Sequence, residues 1–275
     1  MILSNRMTVR IADLYFDEPA PAGMHADIVR FNQFSRAAAN VSSTSTSTML
    51  LDLSQTPEEM LSKMKSHTRY KIRRASEKDK LVYEHSNGKD GASIGRFADH
   101  YDHYAAMKGL GKASRQRYAI LAEQDALDLS FMCDESGEIL VASSCFVTPA
   151  RVRGLHLAGA FRGTSDPSRR SLIGRANRYL RWRDILRFRE KGIKVFDFGG
   201  WYRGTGDAVR TNEFKAEFCG EVVEQFYWQR AMTLKGRIAL VGMDWRQGLA
   251  RRPVEAAPDS AAERENDERS VSAAV

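Results

Sequence analysis

Three cysteines in 275 residues, with no C-x-x-C spacing, leave this chain no disulfide framework and no cysteine-based zinc motif. Cys133, Cys145 and Cys219 point to a reducing compartment, and Cys219, followed by Gly220 in a strand-like context, is read as a small buried side chain rather than a nucleophile. Histidine is scarce too. His100 and His103, beside Asp99 and Asp102, form the one close pair among six, and no further ligands follow at a known spacing, so no metal is expected. Long apolar runs are missing: residues 139–142 and 238–243 are strand- or helix-sized, against the ~20 needed to cross a bilayer. The first residues, MILSNRMTVRIADLYFDEP, scatter charge where a secretory leader needs an apolar stretch. The expectation is a cytoplasmic protein. No internal repeat at fixed period is found.

What is present is positive charge. The formal net charge is +7, hydrophobic residues make up 43% and charged residues 28% of the chain, and the isoelectric point is about 9.4. This length supports one large domain or two small ones, and the charge favours phosphates, nucleic acid or an anionic membrane surface as partners. Weak alternation predicts a strand within residues 2–16, and residues 26–39 read as a short helix. VSSTSTST reads as a loop, with a strand at 48–53. SQTPEEM opens a helix with Ser54 or Thr56 as cap and Pro57 in its first turn. Leu61, Met64, Thr68, Ile72 and Ala75 give that helix an apolar face, and the rest, through Lys80, is mostly basic. Helices are expected at 93–107 and from about 114. Strands are expected at 129–133, 139–148 and 152–160, with DESGE turning between the first two. A long helix over 168–191, directing Leu172, Ala176, Tyr179, Trp182 and Leu186 inward, leads to a strand at 193–198, a further strand at 221–228 and a short helix within 233–248. Residues 251–275 carry no hydrophobic period and read as a disordered tail. The order is α+β, a mixed central sheet flanked by helices. One domain is expected over 1–250: an N-terminal part (1–50), a basic helical half (51–128) and a catalytic half (129–230).

Three constellations are candidates for chemistry. In FDFGGWYRGTGDAVRTNEFKAEFCG, Asp197-Phe198-Gly199 matches a kinase triplet, but the glycine loop, strand lysine and H-R-D segment of a kinase are missing. The segment DPSRRSLIGRAN places Arg169, Arg170, Ser171, Gly174 and Arg175 at a helix start, where free amides and guanidiniums suit a phosphate; the alternative is an ordinary capped surface helix. The basic helix carries Arg69, Arg73 and Arg74, read as a phosphate-facing surface or as a solvated face.

Two stretches together resemble the FemAB-like aminoacyl- and acyltransferases. LLDLSQTPEEMLSKMKSHTRYKIRRASEKDKL is similar to their strand, capped helix and R-x-x-I-R-R-A run. VFDFGGWYRGTGDAVRTNEFKAEFCGEVVEQ is similar to their late motif, a D-(F/L)-G-G loop followed by F-K-x-x-F-G. The resemblance implies a GNAT-like fold and acyl transfer to an amine on a cell-envelope, peptidoglycan or polysaccharide precursor. It implies acyl-CoA or aminoacyl-tRNA as co-substrate, tRNA as a partner and no metal, with peripheral contact at the inner membrane surface compatible with the charge. It carries the role of stabilising the tetrahedral intermediate to Lys215, with Phe214 beside it. Gly199, Gly200, Trp201 and Tyr202 would border the acceptor, and Phe-Lys is expected to re-enter the sheet as a strand. Asp197 either orients the loop, accepts an amine proton, or caps the Gly199 or Gly200 N–H. A basic RNA- or membrane-surface-binding module without catalysis is the competing reading.

Overall fold

The computed structural model describes residues 1–250 except 7, 40, 161–164 and 203–206. Its elements run β1 (Ile2–Arg6), β2 (Val9–Tyr15), β3 (Ile28–Phe34), β4 (Thr44–Asp52), α1 (Pro57–Lys63), α2 (Ser66–Glu77), β5 (Val82–Ser86), α3 (Ala92–Lys108), α4 (Arg115–Glu123), β6 (Leu127–Cys133), β7 (Ile139–Val147), β8 (Arg151–Gly159), α5 (Pro167–Glu190), β9 (Val195–Trp201), α6 (Asp207–Ala216), β10 (Glu221–Ala231) and α7 (Leu234–Ala250). The strands form one ten-stranded sheet in the order β1-β2-β3-β10-β4-β9-β8-β7-β6-β5. Neighbours are antiparallel except β2 with β3 and β8 with β9.

Both faces of the β5–β9 half are covered, and the burial of β6 shows it. All of its residues are buried, because Leu129 and Phe131 pack with Phe97 and Tyr118 from α3 and α4, while Met132 packs with Ile173 and Leu180 of α5 on the other face. A second cluster joins Met60, Met64 and Ile72 of the α1–α2 segment to Met49, Leu51, Phe196, Ile185 and Phe188. Burial at this scale contributes about 1.5–3 kcal/mol per large apolar side chain.

The helix starts follow the sequence. Thr56, not Ser54, caps α1 in a reciprocal box with Glu59. Asp166 caps α5, its carboxylate accepting from Ser168 N at 2.9 Å and Arg169 N at 3.1 Å. Four expectations need correction. Residues 28–34 are a strand, not part of a helix, because Ile28 and Val29 pair in parallel with Ile11 and Ala12 of β2. The Ser/Thr run enters β4 from Thr44, held between β9 and β10. The basic helix is two helices, broken where Met64 and Lys65 leave helical geometry. The inward face of α5 is wider than one stripe: Ile173, Leu180, Ile185 and Phe188 are buried, while Leu172, Tyr179 and Leu186 are only half-buried. The expected tail, 251–275, lies outside the described residues.

Candidate active site

The site begins where two strands part. β8 and β9 run parallel for three pairs, Arg151 with Val195, Val152 with Phe196 and Arg153 with Asp197. Beyond these, β8 stays with β7 and β9 stays with β4, so a wedge opens in the sheet. Glycines sit at the apex for steric reasons. Gly199 has φ +79°, and a Cβ there would lie 3.0 Å from the Gly154 carbonyl oxygen.

Asp197 anchors the apex. It is 0% exposed, and its two oxygens accept from Gln33 Nε2 (3.1 Å), Arg151 Nη2 (2.5 Å), Arg153 Nη1 (2.8 Å), Gly199 N (2.8 Å) and Thr48 Oγ1. Five donors on two oxygens leave no lone pair to take a proton from a substrate. Of the options open in the sequence, this carboxylate caps the Gly199 N–H and ties β3, β4 and β8 together.

Lys215 sits in the last turn of α6 rather than on a strand. Asn212 fixes that turn against the loop, accepting from Tyr202 N at 3.1 Å and donating to Tyr202 O at 2.6 Å. Only 7% of Lys215 is exposed, and its Nζ donates to Gly199 O at 3.2 Å and to Gly200 O. It also lies 5.2 Å from the centre of the Tyr202 ring. Burial pushes its pKa down to about 8, the nearby Arg153 and Arg181 add to this, and Asp197 opposes it. An ammonium has three protons, so two carbonyls leave one N–H for a ligand.

Lys215, Phe214, Gly199, Gly200 and Tyr202 line a cleft of about 1140 Å³ that runs from the wedge past α3 and α4. Its wall carries basic side chains from several elements, among them Lys108, Arg117, Arg153, Arg170, Arg178 and Arg181, and no Asp or Glu among the described residues. Arg178 is held by Glu217 at 2.6 and 2.5 Å. Glu217 also accepts from Thr68 Oγ1 at 3.0 Å, which ties α2 and α5 to the end of α6. Arg181 is buried over the Phe196 and Phe198 rings, its nearest carboxylate Asp184 at 3.6 Å.

No protein-family model matches this sequence, and no curated protein does. Solved structures do. The chain is similar to FemX with a TM-score of 0.55 at 14% identity, covering 72% of this chain and 63% of FemX, so it spans less than two thirds of that protein. It is similar, with a TM-score of 0.51 at 15% identity, to the C-terminal DUF2156 domain of a protein from Agrobacterium fabrum named for lysylphosphatidylglycerol synthesis, covering 79% of this chain and 71% of that one. The fold is FemX-like.

In this FemX-like frame the residues singled out from the sequence divide. Trp201 packs against the apolar cluster behind the wedge and does not line the cleft. Arg69, Arg73 and Arg74 lie on α2 outside the cleft wall; Arg69 donates to Ser62 O at 3.3 Å and to Met64 O, and Arg74 to Tyr70 Oη at 3.3 Å. At the start of α5, Arg170 lines the cleft, whereas Arg169 is bonded to Asp134 (2.9 Å) and Glu138 (2.6 Å) and Arg175 to Asp79 (2.5 Å). Ser171 is exposed, and the Gly174 carbonyl accepts from Arg178 at 2.9 Å. Asp166 occupies the first-turn amides that a phosphate would need. His100 bonds Ala158 O at 3.1 Å, and no metal-sized cluster of ligands occurs among the described residues.

Sequence reading missed one part of the wall. His156 on β8 meets Tyr118 Oη at 2.6 Å and Ser144 Oγ at 3.3 Å, and all three close up only once β7, β8 and α4 assemble. A lone histidine inside an apolar strand gave no signal of this.

Proposed function

We propose that this protein is an N-acyltransferase that moves an acyl or aminoacyl group from a phosphate-bearing donor, acyl-CoA or aminoacyl-tRNA, to an amine on a cell-envelope, peptidoglycan or polysaccharide precursor. The observation that carries the reading is the buried Lys215 ammonium, held on two glycine carbonyls where the strands part, at the floor of a cleft with no Asp or Glu among its described lining residues. Two neighbours give it context: one is FemX, and another is a domain of a protein named for lysylphosphatidylglycerol synthesis.

The chemistry follows from the placement. An amine attacks the acyl carbon, and the carbonyl oxygen carries negative charge in the tetrahedral intermediate. As the C–O or C–S bond breaks, the donor leaves as an alcohol or thiol with the proton that the amine gives up. A positioned cation at that oxygen lowers the barrier by about 3–4 kcal/mol. With a pKa near 8, Lys215 is mostly protonated at neutral pH, the state this role requires. The basic wall would hold donor phosphates, and the wedge would set acyl carbon and amine in register.

The test is transfer from labelled acyl-CoA and from aminoacyl-tRNA to soluble amine acceptors, in the wild type and in Lys215→Met. We expect kcat to fall about 10²–10³-fold in the variant while the donor still binds. Donor binding without transfer in the wild type, unchanged by the substitution, would instead make the protein a basic binding module.

A further inference from the structure

We propose that His156 is a fixed hydrogen-bond donor to the substrate: its Nε2–H faces the cleft and takes a carbonyl or phosphoryl oxygen of the acyl donor. The inference deepens the transferase reading, because it rests on the cleft being the site of transfer. Its basis is an accounting of protons. Ser144 is 0% and Tyr118 2% exposed, and their hydroxyls lie 3.1 Å apart. Tyr118 Oη is 2.6 Å and Ser144 Oγ 3.3 Å from His156 Nδ1.

Two directions are open to this chain. If Nδ1 carried the proton it would donate to Tyr118 Oη, Tyr118 would donate to Ser144 Oγ, and the Ser144 proton would have no acceptor among the described residues in a buried site. If instead Ser144 donates to Tyr118 and Tyr118 donates to Nδ1, every proton is placed. The second direction puts the ring proton on Nε2. Among the described residues that nitrogen has no hydrogen-bond partner and is not sealed off, since His156 lines the cleft. The ring is held edge-on to Tyr101, their centroids 4.4 Å apart.

The surroundings keep the imidazole neutral. Burial, with Arg117 adding to it, pushes the His156 pKa down to about 4, and burial pushes that of Tyr118 up to about 12, so the tyrosine keeps the proton it donates. A neutral ring that already accepts at Nδ1 has no lone pair at Nε2. It therefore cannot act as the base of the reaction; it can only donate.

The test uses the full chain with ¹⁵N-labelled histidine, the His156 signals being assigned by their loss in His156→Gln. The Nε2–H tautomer, unchanged between about pH 5.5 and 9, is expected. The opposite tautomer, or an imidazolium forming near neutral pH, overturns the proposal. Acetyl-CoA and puromycin then probe for a carbonyl contact and inorganic pyrophosphate for a phosphoryl contact. A shift of the Nε2–H signal with the first two alone assigns a carbonyl, a shift with pyrophosphate assigns a phosphoryl group, and no shift with any of the three sinks the idea. Gln can place an N–H near the Nε2 position and Asn cannot. His156→Gln should hold the responsive probe within about threefold and His156→Asn should weaken it about tenfold; equal affinity in all three proteins contradicts the assignment. Lys215→Met should keep the Nε2–H response while losing turnover; an absence of turnover in the wild type, alongside an intact Nε2–H response, counts against the transferase reading and not against this one.

Discussion

Two charged side chains sit a few ångströms from the same glycines and do different work. Asp197 is saturated with donors and Lys215 is not, which makes one a scaffold and the other available to a ligand. Asp197→Asn leaves Arg151 and Arg153 without their shared carboxylate, and we expect a loss of about 3–5 kcal/mol in urea denaturation. A loss below ~1 kcal/mol would mean that the arginines are neutralised elsewhere. His156 makes a pH prediction with a definite sign. Its pKa is depressed from 6.5 to about 4 on folding, so its contribution is complete above 6.5 and is lost as pH falls through 4. Wild-type stability should drop by about 3 kcal/mol across that window from this group, and His156→Gln should flatten that part of the curve. At this scale the sequence was partly legible. The glycines stood out because a strand that stops at Asp-Phe-Gly-Gly is unusual, and Lys215 stood out through the resemblance of its Phe-Lys pair to the FemAB-like late motif. Gln33 and Thr48 did not, because each acts through Asp197, 164 and 149 residues away, and Glu217 did not, because its partners Arg178 and Thr68 lie 39 and 149 residues away.

Among the elements, the wedge depends on how closely two backbones approach. Gly199→Ala would force a Cβ to 3.0 Å from the Gly154 carbonyl in a left-handed conformation. We expect a cost of about 1–3 kcal/mol by thermal denaturation, together with loss of transfer as Lys215 loses its carbonyl seat. Helices with strong caps and the strands of the β6–β8 meander were legible, since both signals are local. The misread elements share another cause. β3 and the Ser/Thr part of β4 are strands because distant neighbours pair with them, and a run of small polar residues gives no alternation to read. Residues 207–216 form a helix where a loop leading into a strand at Phe214-Lys215 was expected, and its last turn is what turns Lys215 inward.

For the molecule as a whole, the excess of positive charge was visible at once, but not that much of it lines a single cleft. The basic α2 looked like the obvious anion surface, yet its Arg69, Arg73 and Arg74 lie outside the cleft wall, while scattered residues such as Lys108, Arg117 and Arg170 converge on it. Donor affinity should therefore fall steeply with salt, by about tenfold or more between ~50 and ~200 mM, as measured by titration calorimetry. An affinity indifferent to salt would remove phosphates from the account. The most direct test of the central claim is the pH dependence of single-turnover acyl transfer with donor saturating. With Lys215 acting as an ammonium, the rate should fall as pH rises through about 8, and Lys215→Arg, which keeps its charge, should lose that limb while retaining some transfer. A rate that stays level or climbs through that region in the wild type, with the same profile in the arginine variant, would show that the charge at position 215 does not face the reacting carbonyl.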